Sequence, residues 1–177
     1  MIYYKNNEII IRDVINSDVI TLFSWSIDQE INKHDPKPLP KDTKSLMKEC
    51  ENYCRRFEDE IINSPIEKRK YKYFIIEDTA GRSIGFVNFF SIDKEKKQGE
   101  MGVLIGDKRY WQKGIGYASV KAVIDYIFNH MDIERIYIET GENNIPAINL
   151  FSKLHFNKCG EYLEDEDFKF IVMEKKK

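Results

Sequence analysis

What the chain has little of sets the first limits. Its cysteines are three, Cys50, Cys54 and Cys159, an odd count that argues against a secreted disulfide scaffold. Cys50 and Cys54 stand four apart inside a helical pattern, with no companion ligands to complete a metal clip, so they read as helix packing. The histidines, His34, His130 and His155, show no ligand spacing, and no catalytic metal is expected. No stretch approaches the roughly 18 consecutive apolar residues of a membrane span. The opening MIYYKNNEII sets Lys5 and Glu8 beside a short apolar run and does not read as a signal peptide, so cytoplasmic residence is the expectation. A dominant charge is also missing: 28 Lys and Arg against 30 Asp and Glu leave a net −2. Such a chain, without an interleaved basic and aromatic surface, is a poor partner for nucleic acid or an anionic membrane. Internal repeats, low-complexity tracts and Gly/Ser linkers are absent from the sequence.

What is there fits one globular domain over 1–177 with its core at about 9–174: 177 residues, 42% hydrophobic and 33% charged. Ile9 to Val14 reads as a strand, and Ser17 is placed to cap a short helix holding Val19, Leu22, Phe23 and Trp25. Three prolines exclude regular helix from His34 to Pro40. A longer helix follows, capped near Asp42 or Thr43, with Leu46, Cys50, Tyr53, Cys54, Phe57 and Ile61 in one apolar stripe and Pro65 as its stop. Tyr71–Glu77, Ser83–Ser91 and Glu100–Ile105 form an antiparallel meander. Gly114 to Asn129 is a helix, Ile136 to Thr140 a strand, Pro146 to Leu154 a helix, and Phe156–Leu163 with Phe168–Glu174 a final hairpin. The fold class is mixed α/β (α+β): a mostly antiparallel twisted sheet of about seven strands with about four helices.

The segment Asp107-Lys-Arg-Tyr-Trp-Gln-Lys-Gly-Ile-Gly-Tyr-Ala118 carries the chemistry. It follows a strand and opens a helix, and Gly114 and Gly116 let the backbone turn and approach a ligand. Free N–H groups at the new helix, together with its dipole, make an anion site suited to phosphate. Lys108, Arg109 and Lys113 add positive charge there. The pattern is neither a P-loop, which needs Gly-x4-Gly-Lys-[Ser/Thr], nor a dinucleotide fingerprint, which needs three spaced glycines near a first parallel strand. A second segment, Glu142 to Phe156, runs from a strand end through an Asn pair into a short amphipathic helix, where Asn144 could cap the helix or present its amide to a ligand.

Together these segments resemble the GNAT superfamily of acetyl-CoA-dependent N-acetyltransferases. Tyr110-Trp-Gln-Lys-Gly-Ile-Gly-Tyr-Ala118 is similar to that family's pyrophosphate loop, Asn144 to Phe156 to its N-x-x-A…LYEKxGF helix and strand, and Ser83 to Asn88 to the strand before the acceptor site. Trp111 stands where Gln or Arg is common and is reminiscent of the branch with ribosomal-protein N-terminal, polyamine and antibiotic acetyltransferases. Phe151 replaces the frequent Tyr, and His155 the usual Gly, which implies a looser turn.

The resemblance implies acetyl-CoA as co-substrate, lying where the strand ending near Ile105 splays from Ile136–Thr140. Backbone groups of Val103, Leu104 and Ile105 would hold the pantetheine arm, and one N–H would polarise the thioester. Arg109, Gln112, Lys113, Gly114, Ile115, Gly116 and Tyr117 would surround the pyrophosphate, and Asn144 would lie near the thiol end. Glu100 and Glu139, on strands beside the gap, are the candidate bases for deprotonating a primary amine, or else solvated strand-edge acids. Thiolate protonation falls to water or Tyr117. Trp25 and Asp28 are candidate acceptor contacts, and the acids Glu161, Glu164, Asp165, Glu166 and Asp167 would attract a cation or form a solvated hairpin tip. The implied acceptor is a small cationic amine (polyamine or aminoglycoside), an amino sugar or a protein N-terminus. Exposed sheet edges offer a route to a homodimer. A non-catalytic module that binds CoA or a metabolite and acts through a partner is the alternative, kept open by Phe151.

Overall fold

A computed structural model describes residues 1–34, 38–165 and 168–177, the side chain of Asp165 excepted. Alternating apolar residues set down one sheet. In β2 (Ile9–Asp13), Ile9 and Ile11 turn inward and are essentially without exposure. The meander follows as β3 (Lys72–Asp78), β4 (Ser83–Asp93) and β5 (Gln98–Ile105). Then come β6 (Arg135–Gly141) and the hairpin β7 (Asn157–Asp165) and β8 (Phe168–Lys176). An additional strand, β1 (Ile2–Lys5), pairs antiparallel with β2, so the sheet has eight strands rather than about seven, in the order β1-β2-β3-β4-β5-β6-β8-β7. β1 is a four-residue edge strand with a register shift, too short to show alternation.

Helices cover both faces. On one side α3 (Ile115–His130) and α4 (Ile145–Lys153) bury Val120, Val123, Ile127 and Phe151 against Ile11, Phe74, Val87, Ile136 and Ile138. On the other, α1 (Val19–Ser26) and α2 (Thr43–Phe57) bury Leu22, Trp25 and Phe57 over Ile75, with Tyr73, Phe86 and Leu104 packed alongside. Each fully buried aliphatic or aromatic side chain contributes roughly 1.5–3 kcal/mol relative to exposure. Cys54 packs on this second cluster, as the helix stripe implied. Asp42 caps α2 by accepting the Ser45 N–H at 2.8 Å. α2 runs into one π turn, Glu58–Ile62, before Pro65. Ser17 does not cap α1. It lies inside a 3-10 turn, Asn16–Asp18, and the Asp18 carboxylate instead accepts the Ile15 N–H at 2.9 Å. That carboxylate also binds Arg12, which reaches Glu77 at 2.6 Å, so the turn is bonded to β2 and β3 by charge-assisted contacts.

β5 and β6 are the only parallel neighbours described, and they pair only over Gln98–Glu100 and Arg135–Tyr137. β5 continues to Ile105, and β6 leaves it to pair with β8 along its full length. The sheet therefore opens into a V between two strands that begin together.

Candidate active site

The open edge of β5 is specified by its ladder. The Gly106 N–H donates to the Ile84 carbonyl at 2.9 Å, and the antiparallel register continues through Phe86↔Leu104 and Asn88↔Gly102. Alternation then commits the backbone groups of Gly102 and Leu104 to β4 and turns those of Met101, Val103 and Ile105 toward the V. Of the three residues that the resemblance assigned to the pantetheine arm, Val103 and Ile105 turn their backbone groups to the V, whereas the Leu104 backbone faces β4 and its side chain packs with the α1/α2 cluster. The Ile105 carbonyl is already engaged, accepting the Trp111 indole N–H at 2.7 Å. The groups left facing the V are those an extended amide-containing chain could pair with.

The V leads to the loop before α3. A 3-10 turn, Lys108–Tyr110, is capped by Asp107, and the Tyr110 hydroxyl ties it to buried Asp78 at 2.8 Å. Gln112 (φ 61) and Gly114 (φ 80) both adopt left-handed backbone conformations. Two such residues so close together bend the chain sharply just ahead of α3, and the unpaired N–H groups of a helix's first turn suit an anion. Gly114 is the left-handed N-cap. Gly116 is not a turn residue: it sits in the first helical turn, where an added Cβ would meet only Leu150 at 3.8 Å and Ile105 at 4.0 Å. Ile115 is buried in the core beneath the loop, and Tyr117 is exposed. Lys113 projects over the Tyr110 ring, 5.7 Å from its centre. The Arg109 guanidinium pairs with its neighbour Asp107 at 2.6 Å.

At the far side, Asn144 caps α4, accepting the Ala147 N–H at 3.4 Å while its amide donates to Thr140 at 3.0 Å. Capping is the role the structure displays, and it ties α4 to the end of β6. Phe151 is buried and packs edge-on against Phe156, centroids 5.0 Å apart, so a hydroxyl is neither present nor missed at that core position. His155 does not loosen the following turn. It takes the left-handed conformation itself (φ 64), and the Phe156 N–H closes on the Phe151 carbonyl at 3.0 Å.

On the α1/α2 face, Glu100 is half-buried, registered with Phe90 on β4 and Tyr137 on β6. It makes no hydrogen bond or ion pair among the described residues. Burial, with the charge of Glu139 in support, pushes its carboxyl up to about 7. Glu139 accepts the Tyr162 hydroxyl at 2.6 Å, and that bond is the main reason the Tyr162 phenol rises to about 12. Tyr137, two residues before Glu139 on the same face, is also raised, by burial first and then by the charges of Glu100 and Glu139. The structure therefore brings the two predicted acids together and adds Tyr137 and Tyr162, which sequence reasoning missed. The i, i+2 alternation of β6 could have found Tyr137, but Tyr162 depends on a β8-mediated juxtaposition no local pattern shows.

Trp25 and Asp28 are arranged differently from open acceptor contacts. Trp25 is 8% exposed, stacks on Phe86 and lies beneath Gly106. Asp28 accepts the Glu30 and Ile31 N–H groups and pairs with Lys108 at 3.0 Å, and the Lys108 contact leads in holding it below the ordinary carboxylate range. Glu161 of the acidic hairpin pairs with Lys158, while Glu166, Asp167 and the side chain of Asp165 lie outside the described residues. The Asp35–Lys37 part of the proline segment does too.

A solved ribosomal L7/L12 alpha-N-protein acetyltransferase in complex with coenzyme A superposes with TM-score 0.80 at 16% identity, covering 99% of this chain and 98% of that one. Spermidine N-acetyltransferase from Vibrio cholerae, in complex with CoA and spermine, gives TM-score 0.74 at 18% identity, covering 97% and 96%. In sequence, an N-acetyltransferase p20 of Bacillus licheniformis is 32% identical over 95 residues, 54% of this chain and 53% of that protein. The Vibrio cholerae spermidine N(1)-acetyltransferase is 23% identical over 107 residues, 60% and 61% of the two chains. The matched stretch thus spans a little over half the length of these curated relatives. A family model described as an acetyltransferase (GNAT) domain matches residues 8–157, most of the chain, and the protein belongs to the GNAT acetyltransferase family.

Proposed function

We propose that this protein transfers an acetyl group from acetyl-CoA to a primary amine by direct attack on the thioester. The observation that carries the reading is the V between β5 and β6, with the backbone of Met101, Val103 and Ile105 turned into it and the left-handed Gln112–Gly114 loop leading into α3 at its end. These residues fit the group: open strand edge for the amide-bearing arm, first turn of α3 for the pyrophosphate. Acetyl-CoA supplies the activated acyl group.

The chain's own residues then divide the work. Glu100, with its carboxyl at about 7, takes the proton from the acceptor ammonium, directly or through a water, because only the neutral amine attacks. A V-facing N–H, from Val103 or Ile105, donates to the carbonyl oxygen as charge grows on it. The N–C bond forms, the C–S bond breaks, the second proton on the nitrogen passes to water, and the departing thiolate takes a proton from water or Tyr117. Glu139 acts beside Glu100 as a second carboxylate held by Tyr162. The paired acids and the aromatic rings of Phe90, Tyr137 and Tyr162 suit a small cationic amine such as a polyamine or aminoglycoside. A protein N-terminus is the other acceptor class, and the site of action is the cytoplasm.

Calorimetric titration of acetyl-CoA into the wild type and Gly114→Trp tests the reading, followed by an amine panel monitored by thiol release. Binding that the substitution abolishes, and turnover with a primary amine, are the expected results. A wild type that binds no acetyl-CoA refutes the reading, and binding without turnover of any amine favours the non-catalytic alternative.

A further inference from the structure

Ile105 and Gly106 form the junction between β5 and the loop, where the V ends. Four contacts converge on this junction. The Gly106 and Asp107 N–H groups share the Ile84 carbonyl at 2.9 and 3.0 Å. The Ile105 carbonyl accepts the Trp111 indole N–H at 2.7 Å. The Trp25 ring lies against the Gly106 Cα so closely that an added Cβ would fall 2.1 Å from it. Trp25 and Trp111 are the chain's 2 tryptophans. One reaches the junction from the α1 face and the other from the open edge.

Trp25 is itself held from behind. Its carbonyl accepts the Asn32 amide at 2.7 Å, its ring stacks on Phe86, and Lys108, two residues beyond Gly106, pairs with Asp28 and Glu30. The junction can therefore neither rotate about its peptide plane nor lift from the α1 layer without breaking a packed or hydrogen-bonded contact.

We infer that Trp25 and Trp111 are positioning residues that clamp the Ile105–Gly106 peptide so that the open edge of β5 presents a fixed donor to the thioester. This rests on the acetyl-transfer reading above. With its carbonyl bonded to the indole and the Gly106 N–H bonded to Ile84, Ile105 offers the V only its own N–H. That N–H belongs to the preceding Leu104–Ile105 peptide and is held through the Ile105 backbone that the clamp fixes. A free carbonyl at that point would repel the oxygen on which negative charge develops, and a rotating peptide would have to be reordered at each turnover. A fixed donor needs no such reorganisation. The clamp acts on the reacting end, whereas the pyrophosphate is served by the separate Gln112–Gly114 curl, so its loss falls on the chemical step more than on binding.

Trp111→Phe keeps the ring and removes the N–H. The expected result is a kcat lower by about tenfold or more, since misplacing a reacting group by an ångström costs up to about a hundredfold. The acetyl-CoA Kd by calorimetry stays within about threefold and the melting temperature within a few degrees. Trp25→Phe, which opens a gap beneath Gly106, shifts kcat in the same direction, and Lys121→Ala on the outer face of α3 behaves as wild type. Each Trp→Phe variant also leaves a single tryptophan, whose emission shifts on saturation with acetyl-CoA whether or not an acceptor is at hand. Wild-type kcat in Trp111→Phe overturns the inference, as does a loss confined to Kd, or emission unmoved by acetyl-CoA in both variants. In each of those cases the wild type still binds acetyl-CoA. A wild type that does not bind it removes the acetyl-transfer reading and the inference with it.

Discussion

The Tyr162 hydroxyl of β7 donates to Glu139 Oε2 of β6 at 2.6 Å, across the intervening β8. That bond fixes a carboxylate on the same face as Glu100, whose carboxyl stands near 7 through burial and the Glu139 charge. A base needs its carboxyl ionised, so kcat/KM should climb with pH and level off above an apparent pKa of about 7. Glu100→Gln removes the limb and lowers kcat/KM by roughly 10²–10⁴-fold. Glu139→Gln removes a negative neighbour, eases ionisation of Glu100 and moves the limb to lower pH. Profiles of the three proteins check this, and a limb unmoved by Glu100→Gln assigns the base elsewhere.

The same group affects stability. Its folded value of about 7 exceeds the ordinary 4.5, so between these values the native state binds more protons than the unfolded chain. Stability must then fall as pH rises through that window, the contribution being fully present below 4.5 and lost above about 7. Glu100→Gln, which cannot ionise, should lack this component. Urea midpoints at pH 5 and pH 8 should converge in the variant relative to wild type, and equal spacing in both proteins would show that Glu100 is not desolvated.

How much of this was legible in the sequence depends on the range of the contact. Alternation in Ile9 and Ile11, the stripe from Leu46 to Ile61 and the turn at Asp78–Gly81 are local patterns, and each formed its element. The four residues of β1 carry no such pattern and gain strand structure only by pairing with β2. The placement of Glu100 and Glu139 on neighbouring strands was legible because each lies in a locally patterned strand. The packing of Trp25 beneath Gly106 was not legible, because the two are 81 positions apart and glycine advertises nothing about what lies against it. Tyr162 and the bond from Trp111 to Ile105 likewise needed the folded sheet.

The two loop glycines should respond oppositely to alanine. Gly114 sits at φ 80, where a Cβ has open space but an unfavourable backbone, at a cost of roughly 1–2 kcal/mol. Gly116 is helical, and its added methyl would make ordinary contacts at 3.8 and 4.0 Å, with a helix-propensity gain of up to about 1 kcal/mol. Gly114→Ala should therefore lower the melting temperature and Gly116→Ala hold or raise it. Acetyl-CoA affinity should fall in both, in the second because the methyl stands over the first-turn N–H groups. A Gly116→Ala protein with unchanged affinity would place the ligand away from that turn.

His155 closes α4 in a conformation that favours glycine. Its φ is 64, the Phe156 N–H reaches back to the Phe151 carbonyl at 3.0 Å, and its own N–H bonds the Ser152 carbonyl at 3.0 Å. The closure is held because Phe151, Leu154 and Phe156 are all buried in the main core and cannot be satisfied by a different chain path. The imidazole, on an exposed residue, makes no described hydrogen bond that would offset the left-handed strain. Relief of about 1–2 kcal/mol by His155→Gly is opposed by roughly 0.5–1 kcal/mol of added chain entropy in the unfolded state. The net gain should be on the order of 0.5–1 kcal/mol, a rise of about 1–4 °C in melting temperature for a domain of this size. His155→Ala, which removes the ring and keeps the Cβ, should gain nothing. Calorimetry of the two variants separates the cases: equal stabilisation by alanine would trace the effect to the imidazole and not to the backbone.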